Sequence, residues 1–388
     1  MNLIREIADW IRFAFRVPTE EKAIVFYSEQ ASYWAYFEGL VEALVDAGAG
    51  PLCYVTSDPK DPILEREDPA IHAFYLRSLL PLFMLFVKCR VFVMTLTELN
   101  QRHVMRSINP VHYAYVFHSL NSTHMAYTHG AFDHYDSVLC CGSYMIDEIR
   151  KEEALRELPR KELVEAGYYR LERIHQAWTS MPAPSGANDA PKGNVLLAPS
   201  WSAHNVLVDH GETLVARLAA SGYAVTLRPH PETLKRDPEL VEAFAARFAD
   251  EPLVTLERSV ATDHSLLTSD VLITDWSGIA QEFALGTERP VLYLDVPRKV
   301  HNERYEELEI EPFEARIRSE IGHVLSPEDI PVIHETVDRL MMDKLKYRDR
   351  IVELRDESIF EFGRSSEIGA RHLMDVLERP VTSQQGAD

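Results

Sequence analysis

The chain has 388 residues, 46% hydrophobic and 26% charged, a globular composition that excludes a disordered or fibrous protein. Lys and Arg total 40 against 61 Asp and Glu, so the formal charge is −21 and a general nucleic-acid binder, which needs a basic face, is disfavoured. A small anionic substrate is not excluded, because a local cluster of Arg, His and helix N-termini can hold a phosphate against the overall field.

The first segment differs in kind from the remainder of the chain. Leu3, Ile4, Ile7, Trp10, Ile11, Ala14 and Phe15 recur at helical spacing, with Arg5, Asp9, Arg12 and Arg16 between them. The pattern predicts an amphipathic helix over residues 1–18, ended by Pro18. Such a stripe either packs on its own protein or on a second copy in a homo-oligomer, or lies on a membrane surface, where Trp, Phe and Ile opposite Arg is the interfacial composition.

Residues 19–178 then alternate short β-branched or aromatic runs with helical stretches. The runs are AIVFYS (23–28), LCYVT (52–56), VFVMT (91–95), HYAYVF (112–117) and DSVLCC (136–141). Residues 179–194, rich in Pro, Gly, Ser and Asn and without apolar period, read as a linker. The alternation resumes over residues 195–388 with NVLLAP (194–199), YAVTLRP (223–229), LVTL (253–256), VLIT (271–274) and VLYL (291–294), followed by charged helices. Continuous apolar strands separated by helices predict parallel sheets covered on both faces, hence two doubly wound Rossmann-type α/β domains facing each other across a cleft. The most apolar stretch, Ser78 to Val87, is shorter than the roughly 20 residues of a spanning helix, and no signal peptide is expected. Cys53, Cys89, Cys140 and Cys141 have neither disulfide-framework nor zinc spacing, so a reducing, cytoplasmic setting is expected.

In open α/β sheets ligands sit beyond the carboxyl ends of the strands, which singles out Ser28, Thr56, His118, Ser200, Trp201, Arg228 to Pro231 and Thr274 to Gly278. There is no G-x-G-x-x-G fingerprint and no Walker loop, and no cofactor is expected. In SDVLITDWSGIAQEFALG a buried strand runs into Asp275, Trp276, Ser277 and Gly278 just before a helix. That arrangement aims N–H groups and the Ser277 hydroxyl at an anion, although Asp275 and Ser277 serve equally well as helix N-caps. Arg228-Pro229-His230-Pro231 presents an imidazole rigidly between two prolines beside a permanent cation. His118, His124, His129 and His134 are six, five and five residues apart, which is not a zinc-ligand spacing, and no metal site is expected. His118 closes a strand at the lip of the cleft and suits a general base.

Strand-His118, GYYRLERI (167–174), VLLAPSW (195–201), LRPHPE (227–232) and the segment from Ser269 to Asp295 together resemble the CDP-glycerol glycerophosphotransferase family of teichoic acid primases and polymerases. The resemblance spans Val111 to Asp295 and implies a GT-B fold. It further implies transfer of a polyol phosphate from a CDP-activated donor to a hydroxyl of a lipid-linked or polymeric glycan, with release of CMP, at the inner face of the cell membrane. By the same resemblance His118 is the base and His230 lies by the donor phosphates. Asp275, Ser277 and Glu282 then fall in the nucleotide and phosphate region, to which the strand-end reading adds Arg228, Thr274 and Gly278. The chain departs from the family's pattern at three places. His-Gly-Thr-Pro-Leu-Lys becomes His118-Ser119-Leu120-Asn121, a tandem Ser becomes Ser277-Gly278, and Gly-Tyr-Pro-Arg becomes Gly167-Tyr168-Tyr169-Arg170. A His-Gly pair does occur at His129-Gly130, which makes His129 an alternative base. The competing functions are a nucleotide-sugar glycosyltransferase of the same fold and a non-catalytic nucleotide-binding partner in surface-polymer assembly.

Overall fold

The computed structural model describes residues 2–101, 104–182, 191–202, 204–258 and 262–380. In the first half the apolar runs form β1 (Ile24–Ser28), β2 (Leu52–Thr56), β3 (Ile71–Tyr75), β4 (Val91–Met94), β5 (His112–Val116), β6 (Ser137–Cys140) and β7 (Glu162–Glu165). They make one seven-stranded sheet of order 3-2-1-4-5-6-7, parallel throughout. The second half forms β8 (Asn194–Leu197), β9 (Ala224–Leu227), β10 (Val254–Leu256), β11 (Val271–Thr274), β12 (Val291–Leu294) and β13 (Gly322–Leu325). This second sheet has six strands in the order 10-9-8-11-12-13, again all parallel. Every residue of β1, β4, β11 and β12 is buried, because helices cover both faces, and runs as apolar as IVFYS, VFVM, VLIT and VLYL are what such a position requires. The strand order reverses at β1/β4 and at β8/β11, so each half opens a crevice at the carboxyl ends of those strands. This is the expected GT-B architecture.

Three strands escape the sequence patterns, and all are sheet edges. β3 carries His72 and is only partly buried, β7 begins and ends in exposed Glu, and β13 starts with Gly322-His323 and is half-buried at its centre. An edge strand has one side open to water, so the continuous apolar run that marks the central strands is missing. The middle of the expected linker, residues 183–190, lies outside the described residues.

The halves are held together by packed helices. The helix Tyr169–Thr179 lies on the helix Ile279–Thr287 so closely that a Cβ on Gly286 would sit 2.6 Å from Ile174 Cγ2. The last helix, Ser365–Glu378, belongs to the second half by its place in the sequence but packs on the first. There Ala370, Leu373 and Val376 share a core with Ile24, Leu40 and Leu139. Its apolar face covers the surface left open by the helix Trp34–Asp46 and the first sheet.

The first helix, Asn2–Phe15, runs antiparallel along the edge strand β3, since Arg12, Asp9 and Glu6 bond in turn to Ala73, Tyr75 and Arg77. Glu6 accepts the N–H groups of Arg77 and Leu79 at 2.9 and 2.8 Å, and Asp9 accepts that of Tyr75 at 3.0 Å. The Phe13 ring meets Phe74 and Phe83 edge-on at 5.5 and 5.0 Å, a burial that contributes about 1.5–3 kcal/mol. The face turned to the protein is therefore partly acidic, and most of the apolar stripe points outward. Ile4 and Phe15 are 76% and 83% exposed, with Leu3, Ile7 and Ile11 beside them near half exposure.

Candidate active site

A cavity of about 1290 Å³ lies between the two halves, lined by residues that come after β1, β4 and β5 on one side and after β8, β9, β11 and β12 on the other. Its second-half wall is built at the β8/β11 switch point. The helix Ile279–Thr287 starts at Gly278 with no side-chain cap; the Ala280 N–H donates to the Ser277 carbonyl at 3.1 Å, and Gly278 and Ile279 line the cavity at this helix start. Ser277 and Gly278 line the cavity there.

His230 lines the same wall as the N-cap of the helix Pro231–Arg236. Its Nδ1 accepts the Glu232 N–H at 3.1 Å, which leaves the proton of a neutral ring on Nε2. Burial, aided by the nearby Lys299 ammonium, pushes its pKa down to about 4, so the ring is neutral and offers an uncharged N–H donor. The Arg228 side chain is buried beside it and reaches the cavity.

His118 comes from the opposite wall, just past β5. Tyr33 stacks on its ring at 5.5 Å, and Tyr36 and Tyr127 meet it edge-on at 6.1 and 5.9 Å. This aromatic box lowers its pKa to about 4 through burial, and its Nδ1 is buried with no hydrogen-bond partner among the described residues. A neutral imidazole held in a fixed orientation can accept a proton from a hydroxyl placed in the cavity. The loop beyond it is fastened to the second half. Ser122 donates its N–H and Oγ–H to Glu314 at 2.8 and 2.9 Å, and Asn302 Nδ2 donates to the His124 carbonyl at 2.9 Å. Burial, with Glu148 as a further cause, pushes the Glu314 pKa up to about 7.

Three residues expected at the phosphates have other partners. The Asp275 carboxylate is fully buried, accepting the N–H of Ser200 at 2.9 Å, of Trp276 at 2.6 Å and of Val206 at 2.9 Å. It therefore ties the β8 loop to the β11 loop and sits at the N-terminus of the helix Val206–Ala220, where a negative charge is stabilising. The Thr274 hydroxyl is buried and donates to the Ala198 carbonyl at 2.6 Å. Glu282 lines the cleft, yet its carboxylate accepts the Tyr168 hydroxyl at 2.8 Å and Arg170 Nε at 3.1 Å. It positions Arg170 across the boundary between the halves rather than facing an anion.

The four histidines of the His-rich passage do not converge. His124 is buried 3.3 Å from Glu148, and His129 lies outside the cleft lining, 3.7 Å from Glu152 and 3.4 Å from Arg304. Among the described residues no group of three or more His, Cys, Asp or Glu is placed to hold a metal ion.

The sequence patterns missed Lys299. It lines the cleft 5.8 Å from the centre of the Trp201 ring, and burial holds its ammonium below the usual lysine pKa, against the pull of Asp275. It sits in an irregular segment after β12, where neither periodicity nor spacing marks it.

Comparison with known proteins agrees with this geometry. No curated protein matches the chain. Among solved structures, one titled as the wall teichoic acid polymerase TagF, a His-to-Asn variant with CDPG, superposes with a TM-score of 0.58 at 14% identity, covering 97% of this chain and 93% of that one. S. aureus MnaA with UDP gives a TM-score of 0.57 at 14% identity, covering 95% and 99%, and a UDP-N-acetylglucosamine 2-epimerase gives 0.56 at 12%, covering 95% and 98%. At these identities the likeness establishes the GT-B fold. A family model described as CDP-glycerol:poly(glycerophosphate) glycerophosphotransferase matches residues 10–322, reaching well before the Val111 at which the motif resemblance begins. Since that match takes in most of the chain and both walls of the cleft, the protein belongs to the CDP-glycerol:poly(glycerophosphate) glycerophosphotransferase family and is a transferase.

Proposed function

We propose that the protein transfers a polyol phosphate, glycerol phosphate or a close relative, from a CDP-activated donor to a hydroxyl of a cell-surface polymer or lipid-linked glycan, releasing CMP. The observation that carries this reading is the placement of neutral His118 across one cavity from His230, Ser277 and the uncapped helix start. The TagF structure of the same fold is titled with CDPG, which supports the choice of donor.

In this reading the acceptor hydroxyl gives its proton to the His118 imidazole as its oxygen attacks the β-phosphorus. A new P–O bond forms, the P–O bond to CMP breaks, and CMP carries away the bonding pair. Phosphoryl transfer of this kind is mostly positioning and charge neutralisation. The second-half wall supplies both, through the His230 N–H, the Ser277 hydroxyl, Arg228 and the helix dipole. The aromatic box keeps bulk water from the base and holds it neutral until the hydroxyl proton arrives.

The acceptor's setting bears on the first helix. No helix among the described residues is long and apolar enough to cross a membrane. The outward stripe of Leu3, Ile4, Ile7, Ile11 and Phe15, flanked by exposed Arg5 and Arg16, fits an anionic bilayer surface, where a lipid-linked acceptor would be presented. The N-terminal turn lies at the end of β3 that opens toward the cleft, since Glu6 bonds beyond Tyr75. Docking there would bring the cleft close to the lipid headgroups.

The test is a turnover assay with CDP-glycerol, CDP-ribitol and UDP-sugars, with a glycan-lipid acceptor. CMP release that depends on acceptor and donor supports the reading. Turnover of a UDP-sugar instead, or binding of every donor without turnover, overturns it.

A further inference from the structure

We infer that Lys299 supplies a full positive charge to the donor's phosphates, beside that of Arg228, and is delivered to the cleft by a strap that bridges both halves. This rests on the reading of the cavity as the donor site. His230, Ser277 and the helix start are neutral donors, whereas a diphosphate ester brings about two negative charges that neutral donors satisfy only in part. Most other cations lining the cavity are held by carboxylates. Arg170 pairs with Asp263 at 2.8 Å and Glu282 at 3.1 Å, Arg173 with Glu38 at 2.8 Å, Arg66 with Asp68 at 2.9 Å and Arg258 with Glu242 at 2.5 Å. Lys299 has no ion pair among the described residues, and the carboxylate that acts on it, Asp275, has its oxygens taken by three backbone N–H groups.

The segment that carries Lys299 is fixed at both ends. On the second half Trp276 Nε1 donates to the Val296 carbonyl at 3.0 Å and the Arg298 guanidinium lies 5.1 Å from the Trp276 ring centre. On the first half the His301 N–H donates to the Met125 carbonyl at 3.0 Å, in the loop beyond His118. Lys299 stands between these anchors, close enough to His230 to act on it electrostatically, and with its ammonium near the Trp201 ring. A strap that spans the halves places this charge at the cavity, where one end of the donor meets His230 and the other must face His118. Its length and single charge suit non-bridging phosphate oxygens, which it can follow as charge shifts onto the departing CMP.

Calorimetric titration of the full chain with inorganic pyrophosphate, CDP-glycerol and cytidine separates the sources of affinity. Lys299→Met, and Lys299→Gln as a second neutral variant, should weaken pyrophosphate and CDP-glycerol by about 10- to 100-fold, the worth of one charge-assisted hydrogen bond, and leave cytidine unchanged. Lys299→Arg should recover part of the loss. Unaltered pyrophosphate and CDP-glycerol affinity in the neutral variants, or no pyrophosphate binding by the wild-type chain, overturns the inference. A wild-type chain that binds pyrophosphate through Lys299 but ignores CDP-glycerol supports the Lys299 site and rejects the donor reading.

Discussion

Ser119, one residue past His118, faces Gly278 at the start of the helix Ile279–Thr287, so that a Cβ on Gly278 would lie 2.8 Å from Ser119 Oγ. Two departures from the family's pattern thus meet in space. The pattern places Gly after the His and a second Ser after Ser277, and this chain has the hydroxyl on the opposite wall instead. The backbone of Gly278 is ordinary, with φ of −62°, so only the neighbouring side chains oppose a Cβ there.

Gly278→Ser alone should therefore lower the melting temperature, at the cost of about 1–3 kcal/mol typical of overpacking. Adding Ser119→Gly should restore most of it. Thermal unfolding of the two single variants and the double variant checks this, and strictly additive losses would show that Ser119 is not the obstacle.

The histidines should separate. His118→Ala should reduce CMP release by about 10²–10⁴-fold with donor affinity unchanged, because a base acts after binding. His230→Ala should weaken donor binding as well as turnover. His129→Ala should be close to neutral, since its ring lies with Glu152 and Arg304 outside the cleft lining. Single-turnover kinetics with parallel titrations would distinguish these, and an inactive His129→Ala would reassign the base.

Glu314 should make stability fall with rising pH. Its pKa goes from an ordinary 4.5 to about 7 in the folded chain, foremost through burial, beside Glu148. A raised folded pKa means that its stabilising contribution is complete below 4.5 and is lost as pH rises toward and through 7. His118 and His230 shift downward through burial, but they are common to wild type and a Glu314 variant and cancel in the difference. The urea midpoint of the Glu314→Gln variant should thus decline less between pH 5 and pH 8 than that of the wild type, over the window of about 4.5 to 7 in which Glu314 loses its proton. Parallel curves would mean that Glu314 is ionised throughout.

The outward stripe should bind lipid. Ile4→Asp combined with Phe15→Asp should weaken co-sedimentation with anionic vesicles by about tenfold or more, given about 1.5–3 kcal/mol per large apolar side chain removed from water. The helix itself should persist, because Glu6, Asp9 and Phe13 hold it to β3 from the other face. Equal vesicle binding by both chains, or a wild-type dimer that the substitutions dissociate without any lipid binding, would assign the stripe to something other than a membrane.

The two sheets were legible in the residues alone, because a strand buried on both faces must be written as an unbroken apolar run, as in VLIT and VLYL. The strand ends were legible too, and with them the gathering of His118, His230 and Ser277 along one cavity, since such sheets open their crevices at the carboxyl edge. The edge strands β3 and β7 were hidden by their polar, half-exposed residues. What Asp275 and Glu282 do depended on the assembled fold, because a carboxylate's partners are whichever backbone or side chain arrives from elsewhere. Val206 lies 69 residues from Asp275, and Arg170 lies 112 from Glu282. The same holds for Ser119 opposite Gly278 and for Lys299 at the cleft. Local pattern records which face of an element is buried, whereas these meetings are set by how the two halves pack, and nothing in the residues nearby encodes that.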